Sequence, residues 1–269
     1  MKRYLRFTTA KEEYKRADMR DYDIVLGARS DNRYTAVDYM NAVIGDFIEF
    51  HGDRYFGDDG AVIAGIGMIK DMPVTVIGIE KGKNTEDRIA HNFGSAHPEG
   101  YRKALRLMKQ AEKFHRPIVC FIDTAGAFCG VDAEERGQGR AIAENLYEMS
   151  DLRTPILSVV IGEGGSGGAL ALSHADRIWM LEDAYFSVVS PESCANILWK
   201  STEKADVVAD ALYLTAEKLY KLGLIDKICS NDSFENLEND IYSELKKLLA
   251  TDIDTLTDER YEKFRRVGY

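Results

Sequence analysis

Twice in this chain a proline opens a short, largely apolar run that ends in a glycine-rich turn, and this repeated layout restricts the fold more than any other feature. Pro117 precedes Ile118 to Ile122, which leads into Asp123-Thr124-Ala125-Gly126-Ala127-Phe128-Cys129-Gly130. Pro155 precedes Ile156 to Ile161, which leads into Gly162-Glu163-Gly164-Gly165-Ser166-Gly167-Gly168-Ala169. Each run follows a helical segment. From Gly100 to His115, the residues Ala104, Leu107, Met108, Ala111 and Phe114 fall on one helical face, and the spacing predicts a second helix from Glu134 to Met149. Strands that are apolar on both faces and alternate with helices predict an α/β architecture with a largely parallel core sheet. The glycine-rich turns then lie at strand C-termini, where such sheets hold their ligands.

The flanking segments extend this pattern. Thr35-Ala36-Val37-Asp38 has the form of a capping box, and Val37, Met40, Ile44, Phe47 and Ile48 continue it at helical spacing. Ala61 to Ile69 and Pro73 to Glu80, split by Lys70-Asp71-Met72, predict a β-hairpin. Arg177 to Leu181 and Tyr185 to Val189 read as short strands, with another near Ile225 to Cys229 in an otherwise helical remainder. Residues 1–33 are strongly charged with few apolar anchors and are expected to form a peripheral helical arm, while residues 34–269 form the compact domain.

A formal net charge of -10 argues against nucleic acid as the main partner, since phosphate binding needs clustered Lys and Arg. No apolar run reaches the ~18 residues needed to cross a bilayer, and Met1-Lys2-Arg3-Tyr4-Leu5-Arg6 is not followed by an apolar signal core, so a cytoplasmic location is expected. Cys120, Cys129, Cys194 and Cys229 form no C-x-x-C pair, which points away from a zinc ribbon or a disulfide framework.

The second glycine-rich segment carries the strongest chemical signal. Five glycines among the seven positions from Gly162 to Gly168 leave backbone amides unshielded, so that a ligand oxygen can approach them. A helix starting near Gly168 adds the positive end of its dipole. Such a site stabilises an enolate or a tetrahedral oxyanion. The alternative is that the glycines serve only close packing of helix on strand, but a run this dense favours the ligand reading. On that reading Val at Gly168 would obstruct the amide while costing the helix little stability. Asp123 to Gly130 ends the preceding strand, so both turns are expected to open on one cleft.

Gly164-Gly165-Ser166-Gly167-Gly168 also matches the G-x-S-x-G of a hydrolase nucleophile elbow. That fold places its histidine later in the chain, and the only histidine after Ser166 is His174, on the helix that Ser166 itself begins. Eight residues of helix place the two roughly 12 Å apart, too far for a hydrogen bond. No Gly-Lys-Ser/Thr follows the glycines, so the segment is not a P-loop.

Several segments together resemble the alpha subunit of bacterial acetyl-CoA carboxylase carboxyltransferase. They are Asn92-Phe93-Gly94 with Pro98 to Met108, Phe121 to Thr124, Ala133 to Gln138, Ile161 to Ala171, Val189-Ser190-Pro191-Glu192 with Ile197 to Lys200, and Arg260 to the C-terminus. The resemblance implies a crotonase-like ββα superhelix. It also implies an assembly of two alpha and two zinc-ribbon beta subunits, with the metal held by beta and none by this chain. The reaction implied moves a carboxyl group from carboxybiotin, on a biotin carboxyl carrier protein, to acetyl-CoA, giving malonyl-CoA for fatty acid biosynthesis. The amides of Gly167 and Gly168 would hold the ureido oxyanion of biotin, with Gly126 and Ala127 lining the same cleft. Gly164, Gly165, Ser166, Phe128, Asn92 and Gly94 would contact substrate. No protein general base is then needed, because the biotin nitrogen can take the acetyl-CoA proton.

The chain departs from the family's Pro-Gly-Ala-Tyr-Pro-Gly by carrying Ala125, Phe128 and Cys129, and its N-terminal arm is short. Weaker candidates are Lys81, Lys83, Arg88, Arg102 and Lys103, which would meet CoA phosphates or the beta subunit if they are not solvated surface. His91 and His97 make a poor metal pair, and Glu134-Glu135 suit a helix N-terminus. Two other functions are open to the same residues: a stand-alone acyl-CoA hydratase or isomerase using Glu163 as acid-base, and a non-catalytic scaffold subunit.

Overall fold

The computed structural model describes residues 20–267. Helices α1 (Asp21–Ala28) and α2 (Ala36–Val43) precede strand β1 (Gly45–Glu49) and the pair β2 (Val62–Ile69) and β3 (Met72–Ile79). Helix α3 (Thr85–Ala90) and a 3-10 turn at Asn92–Gly94 lead into α4 (Pro98–Lys113) and β4 (Ile118–Thr124). Next come α5 (Val131–Glu135), α6 (Gln138–Asp151), β5 (Ile156–Gly165) and α7 (Ser166–Ser173). The chain continues through β6 (Arg177–Leu181), β7 (Tyr185–Ser187), α8 (Pro191–Trp199), α9 (Ala205–Leu212) and α10 (Ala216–Lys221). It closes with β8 (Lys227–Cys229), α11 (Phe234–Ala250) and α12 (Ile253–Arg265).

One sheet runs in the order β1-β2-β3-β4-β5-β6-β8, with β7 paired to β5. Strands β1 to β3 are antiparallel, and from β3 onward every pairing is parallel. The predicted hairpin closes in register at Ile69 and Met72, around a left-handed Lys70. Strands β4 and β5 are buried along their whole length, in keeping with their largely apolar runs.

Four expectations change. The helix predicted through Ile48 stops at Val43, and Gly45–Glu49 pairs with β2 instead. Only glycine permits that crossing: a Cβ on Gly65 would lie 2.0 Å from the Ile48 carbonyl oxygen, and one on Gly67 2.3 Å from Ile44 Cγ2. The helical spacing of Ile44, Phe47 and Ile48 is therefore overridden by strand pairing. The helix predicted from Glu134 to Met149 is two helices, because Gly137 takes a left-handed φ of 84° between α5 and α6. Strand β5 does not end at Ile161; it continues to Gly165 and passes directly into α7, whose first residue is Ser166 rather than Gly168.

The last difference concerns the arm. Helix α1 places Val25 and Ala28 in the main core, so packing begins before Tyr34, and these few apolar anchors suffice. Residues 1–19 of the expected arm lie outside the described residues.

At the other end, Arg260 of α12 is 1% exposed. Its Nε and Nη2 donate to Asp176 at 2.8 and 2.9 Å, and Nη1 donates to the carbonyls of Met149 and Leu152 at 2.8 and 2.7 Å. Nη2 also reaches the Thr154 carbonyl at 3.0 Å. All five N–H groups of the guanidinium are thereby used. One side chain thus ties the C-terminal helix to the end of α6 and to the loop entering β5.

Candidate active site

The two glycine-rich segments meet where neighbouring parallel strands end. Thr124 of β4 lies opposite Gly164 of β5. A Cβ on Gly165 would sit 2.1 Å from the Ala125 carbonyl oxygen, and one on Gly168 would sit 2.5 Å from the Ala127 nitrogen and 2.9 Å from the Gly126 carbonyl carbon. The turns are thus stacked backbone on backbone. Gly162 faces Arg33 and Asp123, and Gly164 faces the Tyr185 carbonyl at 2.8 Å, so both serve packing. Gly167 differs, since a Cβ there would meet only Ile142 at an ordinary 3.7 Å. The packing explanation therefore holds for Gly162, Gly164 and Gly165, whereas Gly167 stands on an open edge. Gly164 and Gly165 are buried within β5.

Helix α7 begins with no side-chain cap, and the N–H groups of Ser166, Gly167 and Gly168 precede its first internal donor. Ser166 is exposed with a φ of 51°, which makes the abrupt change from strand to helix. A non-glycine residue in that region costs about 1 kcal/mol or more and is common at functional sites. The second turn supplies fewer amides than expected. Gly126 N–H donates to Thr124 Oγ1 at 3.0 Å, and the same hydroxyl donates to the Gly126 carbonyl at 3.0 Å. Gly126 is consumed by its own turn, whereas the Ala127 N–H meets no acceptor among the described residues.

Phe128 donates its N–H to the Ala96 carbonyl at 3.0 Å, and its ring stacks on His97 with centroids 4.0 Å apart. Asn92, Phe93 and Gly94 are left-handed in succession, with φ of 49°, 54° and 76°. Asn92 Nδ2 donates to Asp59 at 3.2 Å, and a Cβ on Gly94 would lie 2.8 Å from the Asp123 carbonyl oxygen. Gly94 thus packs against the end of β4, while Asn92 is held to Asp59.

Glu163 of β5 anchors a charge cluster whose pairings sequence reasoning missed. Glu163 pairs with Lys81, accepts from Arg29 Nε at 2.9 Å and from the Tyr185 hydroxyl at 2.6 Å, and its side chain is 4% exposed. Burial pushes its carboxyl up, but the Lys81 charge and the hydrogen bonds from Lys81, Tyr185 and Arg29 outweigh this and hold it below the usual carboxylate range. Glu163 is a saturated carboxylate, so it does not suit the acid-base role of a hydratase. Asp123 is held by Arg33 and accepts from the Glu163 N–H at 3.0 Å. The other basic candidates are also paired within the chain. Lys83 meets Asp38 at 2.5 Å, Arg88 meets Asp31 at 2.6 Å, Arg102 meets Asp53 at 2.7 Å, and Lys103 meets Asp58 at 2.5 Å.

His174 is turned away from Ser166. Its Nε2 lies 3.0 Å from Ser150 Oγ, its ring stacks on Phe264 at 3.7 Å, and burial, Arg260 and Lys263 push its pKa down to about 4. Ser166 therefore has an elbow-like backbone without this histidine as its base. A cleft of about 670 Å³ beside α12, lined by Asp176, Arg177, Asp226 and Lys263 among others, includes none of the glycine-turn residues.

With that geometry in place, residues 5–268 match the family described as acetyl co-enzyme A carboxylase carboxyltransferase-like. The chain belongs to this family. Its relative in Ruminiclostridium cellulolyticum, the acetyl-coenzyme A carboxylase carboxyl transferase subunit alpha, is 56% identical over 256 residues, covering 93% of this chain and 98% of that protein. The subunit of the same name in Streptococcus equi subsp. zooepidemicus is 53% identical over 249 residues, covering 90% and 97%. Among solved structures, transcarboxylase 12S matches with a TM-score of 0.70 at 19% identity, covering 86% of this chain and 45% of that one. A Pseudomonas malonate decarboxylase hetero-tetramer in complex with coenzyme A matches with a TM-score of 0.69 at 16% identity, covering 87% and 97%. These likenesses give the carboxyltransferase family member a crotonase-like fold. Among its described residues, no helix is long and apolar enough to cross a membrane.

Proposed function

We propose that this carboxyltransferase family member acts as the alpha subunit of a cytoplasmic acetyl-CoA carboxylase, moving a carboxyl group from carboxybiotin to acetyl-CoA. The supporting observation is the uncapped start of α7 stacked on the Gly126-Ala127 turn, on the open end of two buried parallel strands.

The chemistry suits those donors. When the N–C bond of carboxybiotin breaks, carbon dioxide leaves and negative charge falls on the biotin ureido oxygen. The Gly167 and Gly168 amides, with that of Ala127 beside them, stabilise this charge, and the α7 dipole adds to the effect. One such donor is worth about 3 kcal/mol. The ureido nitrogen then takes a proton from the acetyl-CoA methyl group, and the resulting enolate attacks carbon dioxide to form malonyl-CoA. No side chain of this chain exchanges a proton in that sequence, which agrees with Glu163 being saturated.

The acetyl-CoA half of the reaction needs a second surface. In this reading a zinc-ribbon beta subunit supplies it in an alpha2beta2 assembly, and the biotin carboxyl carrier protein delivers the carboxybiotin. The isolated chain is therefore expected to show no carboxyl transfer. Co-purified with the beta subunit, it should catalyse biotin-dependent decarboxylation of malonyl-CoA, the reverse reaction with free biotin. Robust malonyl-CoA turnover by the chain alone would overturn the assignment in favour of a self-sufficient enzyme.

A further inference from the structure

The Ala127 amide sits in a segment with no secondary structure of its own, between β4 and α5, yet it must keep a fixed place against Gly168. Its two neighbours are held from opposite sides. Thr124 closes Gly126 into a tight turn through both its N–H and its carbonyl, each at 3.0 Å. On the other side, Phe128 donates to the Ala96 carbonyl at 3.0 Å, and its own carbonyl accepts from Gln138 Nε2 at 2.9 Å.

The same Gln138 nitrogen donates to the Ala96 carbonyl at 2.8 Å. Both N–H groups of one side-chain amide therefore span two loops, the one after Asn92–Gly94 and the one carrying Ala127. Gln138 is 3% exposed, and its Oε1 is buried without a partner. A buried acceptor without a partner is costly, so the amide is held by what its two N–H groups bind. Its backbone is fixed as the first residue of α6, directly after the left-handed Gly137.

We propose that Gln138 is a positioning residue for carboxyl transfer: it sets the Ala127 N–H against the start of α7 without touching substrate. The inference rests on the carboxyltransferase reading above and assigns this chain a residue beyond its amide donors.

Two variants test it in the reconstituted alpha-beta complex, by malonyl-CoA decarboxylation with free biotin and by amide hydrogen exchange. Gln138→Met keeps the length, removes both donors and also removes the orphan oxygen. It should lower kcat/KM for biotin about tenfold or more, the scale of a displaced reacting group, and leave the KM for malonyl-CoA within about twofold. Exchange should quicken across residues 124–130 and stay parental elsewhere, with a near-parental thermal midpoint. Gln138→Glu presents a carboxylate to two carbonyls. Its activity relative to the parent should rise as pH falls from about 8 to about 6, because the protonated carboxyl again offers one donor.

Parental biotin kinetics with unchanged exchange would overturn the proposal. So would a joint loss of kcat, malonyl-CoA affinity and thermal midpoint, which marks a general structural role. If the parent complex itself shows no biotin-dependent turnover, the carboxyltransferase reading fails, and exchange over residues 124–130 separately decides whether Gln138 holds the loop.

Discussion

Gly168→Ala is expected to cut biotin-dependent turnover of the reconstituted complex by about a hundredfold or more and to lower its thermal midpoint as well. Reading the sequence alone, with Val at this position, predicts the first effect with only a modest fall in stability, because a helix tolerates Val at little cost. The structure enlarges the second. The new Cβ would lie 2.5 Å from the Ala127 nitrogen, 2.9 Å from the Gly126 carbonyl carbon and 2.9 Å from the Tyr101 hydroxyl. Two of these are backbone atoms of the facing turn, so the contact is relieved only by parting the turns. Overpacking of this kind costs about 1–3 kcal/mol, which corresponds to a drop on the order of 5 °C in a chain of this size. Moving the Ala127 turn outward also withdraws its amide from the Gly167 and Gly168 donors. Turnover and midpoint are to be measured on the same sample. Parental values of both would mean that the two turns do not touch.

Arg260→Met is expected to give the largest loss of stability and the smallest loss of chemistry. The substitution leaves the Asp176 carboxylate, 3% exposed, without its bidentate partner, and strips donors from the carbonyls of Met149, Leu152 and Thr154. Asp176 still accepts from the Ile156 N–H at 2.7 Å, which does not replace a lost charge. Breaking a buried ion pair from one side costs about 3–5 kcal/mol, so the midpoint should fall on the order of 10 °C. Arg260 is remote in role from the glycine turns, so turnover per folded complex at low temperature should remain near the parental value. Arg260→Lys should fall between, since an ammonium offers three donors where the guanidinium uses five. A midpoint within about 2 °C of the parent for Arg260→Met would contradict this view of the C-terminal helix.

Features fixed by local chemistry were legible in the sequence. The two apolar strands, the hairpin around Lys70 and the placement of both glycine-rich segments at strand ends follow from proline, glycine and largely apolar runs, and the structure agrees with them. What was not legible depends on partners distant in the chain. Ile44, Phe47 and Ile48 fit a helix until β2 offers Gly65 and Gly67 to be crossed. Lys81 and Lys103 look like solvated cations until Glu163 and Asp58 are brought to them. The same holds within the candidate site. The glycines of β5 were visible, but their division between packing and open amides depends on Arg33, Ala125, Ala127 and Tyr185, and the loss of the Gly126 amide depends on the Thr124 hydroxyl. Arg29 gave no signal, and Gln138 stood out only as the end of a segment that carries the family resemblance, since neither residue type nor spacing reveals which carbonyl or carboxylate will face a side chain.

The central claim is that backbone amides, not a side-chain nucleophile, act at the start of α7. Ser166 is the residue on which the two possibilities diverge, being exposed at a left-handed strand-to-helix junction as a nucleophile would be. The most direct test is the kcat of biotin-dependent malonyl-CoA decarboxylation by the reconstituted complex carrying Ser166→Ala, beside the parent. That variant keeps every amide and removes only the hydroxyl, so kcat should stay within about tenfold of the parent. Complete loss of turnover in a normally folded Ser166→Ala complex would contradict the account and make the hydroxyl, rather than the amides, the reactive group.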